Sequence, residues 1–374
     1  MENIDELTKE VDIIETDEDT FVEDKSDDGG LYPYDPAYTD IEISETPFSV
    51  YEYLRQLNKG KIVIQPDFQR NEVWNPTQKS KFIESIILNF PLPPIYLNET
   101  TESKYIVIDG LQRTTALFEY CKNDFALSGI EALPKYNNDK FEDLPEILRS
   151  KIEDKKLTVF VLKPSTPLVV IYDLFNRINT GGTQLNRQEV RNCIFIGHST
   201  KLLKELSEED YFKQAIDNGV SPKRMKDREV ILRYISFRWS DYKSKYTGDM
   251  SEFVEKMMVR LNKSEIEELN KIKNDFKRVM NWSFKIWGKK NFRIPTEKSK
   301  GTINTAVLES VSNYLSYQSD NFLEENRKTI ELNYSNLIED QNYFQSVTRS
   351  TGNKTKVMDR FRIVHELLHE NTKS

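Results

Sequence analysis

The run Tyr105-Ile106-Val107-Ile108-Asp109-Gly110-Leu111-Gln112-Arg113-Thr114-Thr115-Ala116-Leu117 constrains the fold more than any other stretch of this chain. Its apolar start reads as a buried strand. The Asp-Gly pair breaks it, and the chain resumes as a helix with Gln and Arg in the first turn. A helix start offers unpaired main-chain N–H groups and the positive end of its dipole. Gly110 lets main chain approach closely and Arg113 adds a forked cation, so the turn suits an anion such as phosphate. The same spacing fits a plainer arrangement, in which the arginine pairs with a nearby carboxylate to hold an Asp-Gly turn. Both readings stand at this point.

Around this run the pattern predicts a mixed domain. Thr46-Pro47-Phe48 is expected to open the folded part, ahead of a short helix through Val50, Tyr53, Leu54 and Leu57 that stops at Lys59-Gly60. Ile62-Val63-Ile64, Tyr96-Leu97 and Leu157 to Leu162 read as further strands. Asn75-Pro76 starts a helix whose apolar face is Phe82, Ile83, Ile86, Ile87 and Phe90, and Pro91, Pro93 and Pro94 end it. A helix to about Ile178 ends at Asn179-Thr180-Gly181-Gly182, and Asn186 with Glu189 forms a capping box for the next. From about residue 196 the pattern is helical throughout, with Ile266, Leu269, Ile272, Phe276 and Val279, then Val307, Leu308, Val311 and Leu315, recurring at three and four.

Length and charge bound the partners. A chain of 374 residues, 37% hydrophobic and 30% charged, is long enough for two domains and a sizeable core. No apolar run approaches the roughly 20 residues that span a bilayer, and the first residues are acidic rather than basic and then apolar, so cytoplasm is the expected location, without membrane attachment. Cys121 and Cys193 have no neighbouring Cys or His at ligand spacing, which argues against a disulfide framework or a zinc finger. Residues 1–45 carry 17 acidic and 2 basic side chains. Of the totals of 61 and 53, that leaves 44 acidic and 51 basic in residues 46–374, so a leader of −15 precedes a body of +7. The leader is expected to be disordered, either a solvated tail or a tethered polyanion that competes with DNA for a basic groove. The basic clusters around Lys223-Arg224, Lys226 and Arg228, at Lys289-Lys290, and from Lys354 to Arg362 are candidate DNA contacts.

Three ordered blocks carry a family resemblance. Gln65-Pro66-Asp67-Phe68-Gln69-Arg70, Val73-Trp74, Glu84-Ser85-Ile86-Ile87 and Pro91-Leu92-Pro93-Pro94-Ile95 precede Ile108-Asp109-Gly110-Leu111-Gln112-Arg113. The block Phe175-Asn176-Arg177-Ile178-Asn179-Thr180-Gly181-Gly182-Thr183-Gln184-Leu185-Asn186-Arg187-Gln188-Glu189 follows. In order and spacing, residues 62 to 195 resemble the amino-terminal domain of GmrSD-type modification-dependent restriction systems, a branch of the ParB/sulfiredoxin-like fold. That family usually reads Asp-Gly-Gln-Gln-Arg, and Leu111 stands in the third position here. A ligand contact from that Gln side chain is therefore absent, whereas a contact from the main-chain N–H would be unchanged.

Charge, periodicity and the resemblance together imply an α+β chain: an acidic leader over 1–45 from its charge, a ParB/sulfiredoxin-like mixed α/β nucleotide-binding domain over 46–195 from the resemblance, and an all-helical domain over 196–374 from its periodicity. The resemblance also implies binding and hydrolysis of a nucleoside triphosphate with Mg2+. Carried over position by position, Gly110 and Leu111 offer N–H groups to phosphates, Gln112 and Arg113 contact phosphate oxygens, Arg70 completes a cationic clamp from the earlier strand and turn, and Gln69 and Thr114 belong to the same candidate site. Asp109 holds the metal or orients water, which makes Asp109 and Arg113 the candidate catalytic residues. Arg113, as a polar first-turn residue, is expected to face the ligand and contribute little to the core. Asn179, Gly181 and Gly182 form a second candidate contact for phosphate or base, or else a simple turn between helices.

The function so implied is a nucleotide-hydrolysing component of a DNA-defence system that engages DNA. Two alternatives remain open: a non-catalytic DNA-binding or regulatory module with nucleotide as its switch, which Leu111 mildly favours, and a metal-dependent nuclease. An H-N-H nuclease domain often follows the resembled domain. The histidines here are His198, His365 and His369, none in that pattern, so DNA cutting would fall to the first domain or to a partner nuclease subunit. His365-Glu366-Leu367-Leu368-His369 spells a zinc-peptidase pattern, but Ile363, Val364, Leu367 and Leu368 make it a plain packing helix.

Overall fold

The computed structural model describes residues 43–64, 74–100, 103–164, 186–295 and 301–373, together with Thr166, Val170, Ile171, Leu174 and Arg177. It divides into two compact units, one reaching to Ile194 and one beginning at Phe195.

In the first unit the elements are β1 (Ile43–Ser49), α1 (Val50–Asn58), β2 (Ile62–Val63), α2 (Pro76–Ile87), β3 (Ile95–Glu99), β4 (Tyr105–Asp109), α3 (Leu111–Cys121), α4 (Glu146–Glu153), β5 (Lys156–Leu162) and α5 (Arg187–Ile194). The five strands form one mixed sheet in the order β1-β5-β3-β4-β2. β1 runs antiparallel to β5, β5 parallel to β3, β3 antiparallel to β4 and β4 parallel to β2. The four expected strands are all present. The folded part opens earlier than Thr46-Pro47-Phe48, because these residues lie inside β1, which begins at Ile43. Pro47 is tolerated there since β1 is an edge strand, with a ladder on one side alone. The rest of the acidic leader, residues 1–42, lies outside the described residues.

Both faces of the sheet are covered. Val107 joins the larger core with Tyr53, Ile83, Ile86, Leu97, Leu111, Leu117 and Val159, while Ile108 joins a smaller one with Leu162, Ile171, Val190 and Cys193. Alternation along β4 therefore delivers successive residues to opposite cores, which is why the strand reads as a continuous apolar run. The long connection after α3 is fastened to α2: Glu84 Oε1 accepts the N–H groups of Ala132 and Leu133 at 2.8 and 2.9 Å, and Ser80 Oγ accepts that of Ser128 at 2.9 Å. Each satisfies main-chain donors that a loop of this length would otherwise leave open.

In the second unit, the helices are α6 (His198–Glu208), α7 (Asp210–Ala215), α8 (Lys226–Trp239), α9 (Tyr242–Lys245), α10 (Met250–Lys263), α11 (Ile266–Trp287), α12 (Thr305–Tyr317), α13 (Asp320–Glu325), α14 (Arg327–Glu339), α15 (Gln341–Thr348) and α16 (Lys354–His369). Every residue of α12 from Thr305 to Ser316 is buried, although the sequence shows only one apolar face. Part of its polar side is matched within the unit. Glu309, fully buried, accepts from Arg233 Nε of α8 at 2.9 Å and from Arg360 of α16, and Ser310 Oγ lies 3.0 Å from Tyr343 OH. The α11 stripe is buried from Leu269 to Val279, while Ile266, at the first turn, is exposed.

Candidate functional site

Gly110 is the hinge between β4 and α3. Its φ of 93° is left-handed, and it stands at the N-cap position with no side chain to cap the helix. The two preceding helices differ: Ser49 caps α1, and Asn75 closes α2 in a reciprocal box with Gln78. A Cβ on Gly110 would lie 3.0 Å from Ile95 Cγ1 and 3.3 Å from Arg113 Nη2, so the residue is selected by conformation and by space. Gly110 and Leu111 are buried; Asp109, Gln112 and Arg113 are half-buried.

Each candidate side chain in this corner has a protein partner or a place in the core. Arg113 Nη2 donates to Asp109 Oδ2 at 2.7 Å, and Nη1 donates to the Pro93 carbonyl just ahead of β3. Its side chain is 11% exposed, against 37% for Asp109. Arg113 thus contributes to the fold more than a polar first-turn position suggested. It ties the end of β4 to the approach of β3, which is the plainer arrangement of the two the spacing allowed. Gln112 Oε1 accepts the main-chain N–H of Trp74 at 3.0 Å. Thr114 is fully buried, 3.0 Å from the Tyr53 hydroxyl, and burial pushes that phenol far up, so it stays protonated.

Leu111 is 5% exposed and packs in the larger core. The third motif position faces inward, so its substitution alters packing rather than a side chain directed at the turn. The main-chain N–H groups of Leu111 and Arg113 have no partner among the described residues. Asp109 Oδ1 has none there either and offers one hard oxygen. Mg2+ is commonly held by one or two carboxylates with phosphates and water, so this single donor fits such an ion only together with phosphate oxygens. The guanidinium on the other carboxylate oxygen opposes a bare divalent cation.

Gln69 and Arg70, and the second candidate group Asn179, Gly181 and Gly182, lie outside the described residues. Three contributors to the corner carry no catalytic signature: Trp74, Pro93 and Tyr53. A trace of Pro93's role exists in Pro91-Leu92-Pro93-Pro94, since prolines leave neighbouring carbonyls without a regular ladder and open to a cation.

Elsewhere the motifs resolve into packing. His365 meets the rings of Tyr314 and Tyr317 at 5.3 and 6.2 Å, His369 stacks on Phe322 at 5.1 Å, and Glu366 pairs with Arg362 at 2.7 Å. Among the described residues no three His, Cys, Asp or Glu side chains come together as a metal site. Burial pushes the Cys121 thiol up to about 12 and that of Cys193 well above its ordinary value. Of the basic clusters, Lys226, Arg228 and Arg360 are buried, while Lys223, Lys289, Lys290, Lys354 and Arg362 are exposed. No helix among the described residues is long and apolar enough to cross a membrane.

Residues 50–196 match the family model described as GmrSD restriction endonuclease, N-terminal domain. That span contains β2 to β5 and the whole Asp109–Arg113 corner. No curated protein matches the chain.

Proposed function

Residues 50–196 being a domain of the GmrSD restriction endonuclease N-terminal family, we propose that the chain serves a restriction-type DNA-defence system as its nucleotide-responsive component. In this reading the turn between β4 and α3 receives the phosphates of a nucleoside triphosphate, hydrolysis accompanies binding, and the protein engages DNA. One observation carries it: the family match spans the turn where a left-handed glycine opens a helix that has no side-chain cap. The amino end of α3 favours negative charge, and the N–H groups of Leu111 and Arg113 are the donors it presents. Asp109 Oδ1 is the atom to hold Mg2+ brought in with phosphate, or to orient a water. The exposed lysines of the helical unit and the +7 body supply the charge for DNA.

A second reading has an observation of its own. Asp109 Oδ2 and Arg113 neutralise each other at 2.7 Å, so the guanidinium meets a ligand only when that pair opens. A regulatory module, in which nucleotide binding rearranges the pair without turnover, uses this geometry directly.

The test is calorimetric titration of the full chain with each of the four ribonucleoside triphosphates and Mg2+, alongside phosphate release with and without duplex DNA at several salt concentrations. Binding with DNA-dependent release is the expected outcome. Binding without release selects the regulatory reading. No binding of any triphosphate removes both, and DNA affinity independent of salt removes the electrostatic part of the DNA reading.

A further inference from the structure

The amino ends of α2 and α3 meet through one side chain. Two successive main-chain N–H groups at the start of α2 are each taken by a glutamine carbonyl oxygen: that of Trp74 by Gln112 at 3.0 Å, and that of Asn75 by Gln78 at 2.9 Å. The second bond is local and belongs to the capping box of α2. The first spans 38 residues and has no role in capping either helix. The Trp74 ring packs edge-on to Phe82 at 5.5 Å, so the residue is gripped from both ends: ring against the α2 core face, main chain against the first turn of α3.

We propose that Gln112 is a positioning residue. Its carbonyl oxygen fixes the start of α2 against the amino end of α3, and it acts on any ligand at this corner through that fastening rather than by touching phosphate. The carbonyl oxygen is an acceptor that phosphate cannot use; committed to Trp74, it holds a main-chain donor that a retracted or shortened side chain would release. Gln112 and Arg113 then perform one task on two sides of the same turn. Gln112 holds Trp74, and Arg113 holds the Pro93 carbonyl and Asp109. The influence on binding rests on the nucleotide reading; the fastening itself does not.

Two substitutions separate the roles by sign. Gln112→Glu keeps an oxygen acceptor in place for Trp74 but adds negative charge, which is the worst change for a side chain in contact with phosphate. Gln112→Met keeps the length and removes the acceptor. The measurement is amide exchange in full-length protein labelled with 15N-tryptophan, where Trp239, Trp282 and Trp287 of the second unit serve as internal references, combined with calorimetric nucleotide affinity. Gln112→Met is expected to speed exchange at the Trp74 amide by about tenfold, as loss of one net hydrogen bond implies. Gln112→Glu is expected to retain protection, and nucleotide affinity to follow the same order, with Gln112→Met the weaker binder. If Gln112→Met does not fold, Gln112→Asn withdraws the same oxygen by one methylene and takes its place. Equal Trp74 exchange in wild type and Gln112→Met overturns the proposal. So does a greater loss of affinity in Gln112→Glu than in Gln112→Met with Trp74 protection unchanged. A wild-type protein that binds no nucleotide defeats the nucleotide reading, while the Trp74 exchange still decides the fastening.

Discussion

Gly110 and Thr114 bracket the first turn of α3, and each is tied to a distant residue that fixes what it can do. A side chain on Gly110 would have to hold a φ of 93° and enter the 3.0 Å gap to Ile95 Cγ1. Gly110→Ala is expected to destabilise the fold by about 1–3 kcal/mol, the cost of a non-glycine residue in the left-handed region. The urea midpoint reads it, and an unchanged midpoint would mean that the turn relaxes without cost. Thr114→Val removes the partner of the buried Tyr53 hydroxyl and is expected to cost about 1–3 kcal/mol, most of it recovered when Tyr53→Phe is added. If the double variant is no more stable than the single one, the pair is not coupled. The Asp-Gly turn and the helix after it are legible in the sequence because strand, breaker and first turn are neighbours. The inward direction of Thr114 is not, since Tyr53 stands 61 residues away. Gln112 and Arg113 likewise read as ligand residues from their types, because nothing local announces Trp74 or the Pro93 carbonyl as their partners.

Among the elements, α12 differs most from its appearance in sequence. Val307, Leu308, Val311 and Leu315 mark one apolar face, and the periodicity is correct, yet the opposite face is buried as well. A periodic pattern reports which side is apolar. It does not report that the polar side meets arginines from two other helices. Glu309→Leu would leave Arg233 and Arg360 buried beside each other without their carboxylate, and is expected to destabilise the helical unit by about 3–5 kcal/mol. Adding Arg233→Met and Arg360→Leu should restore most of that loss, because an apolar replacement of a whole buried ionic cluster is often neutral. Thermal unfolding of the three proteins decides it, and a single variant as stable as wild type would show that water reaches the cluster. By contrast β1 is absent from the sequence reading because Pro47 disfavours strand, and only its edge position makes it acceptable.

At the level of the whole molecule, acid is expected to loosen the second unit through His365. Burial first, then Lys243 and His369, lower its pKa below the ordinary 6.5, so the folded state binds this proton less readily than the unfolded chain. The sign follows. The stability is fully present above pH 6.5 and is lost as pH falls from there through the lowered value of the folded protein. His365→Phe keeps a ring against Tyr314 and Tyr317 and should flatten this part of the profile of melting temperature against pH; an unchanged slope would assign it to other groups. The buried carboxylate of α12 has a consequence of a different kind, for the order in which the chain is made. Glu309 is 76 residues from one of its cations and 51 from the other, and the second, Arg360, emerges from the ribosome after it. A nascent chain stopped before Arg360 has one of the two counter-charges of Glu309 and lacks the helix that brings the other. The helical unit is therefore expected to close late, once α16 is present, and limited proteolysis of chains truncated between α12 and α16 should find a more open bundle than in the full chain.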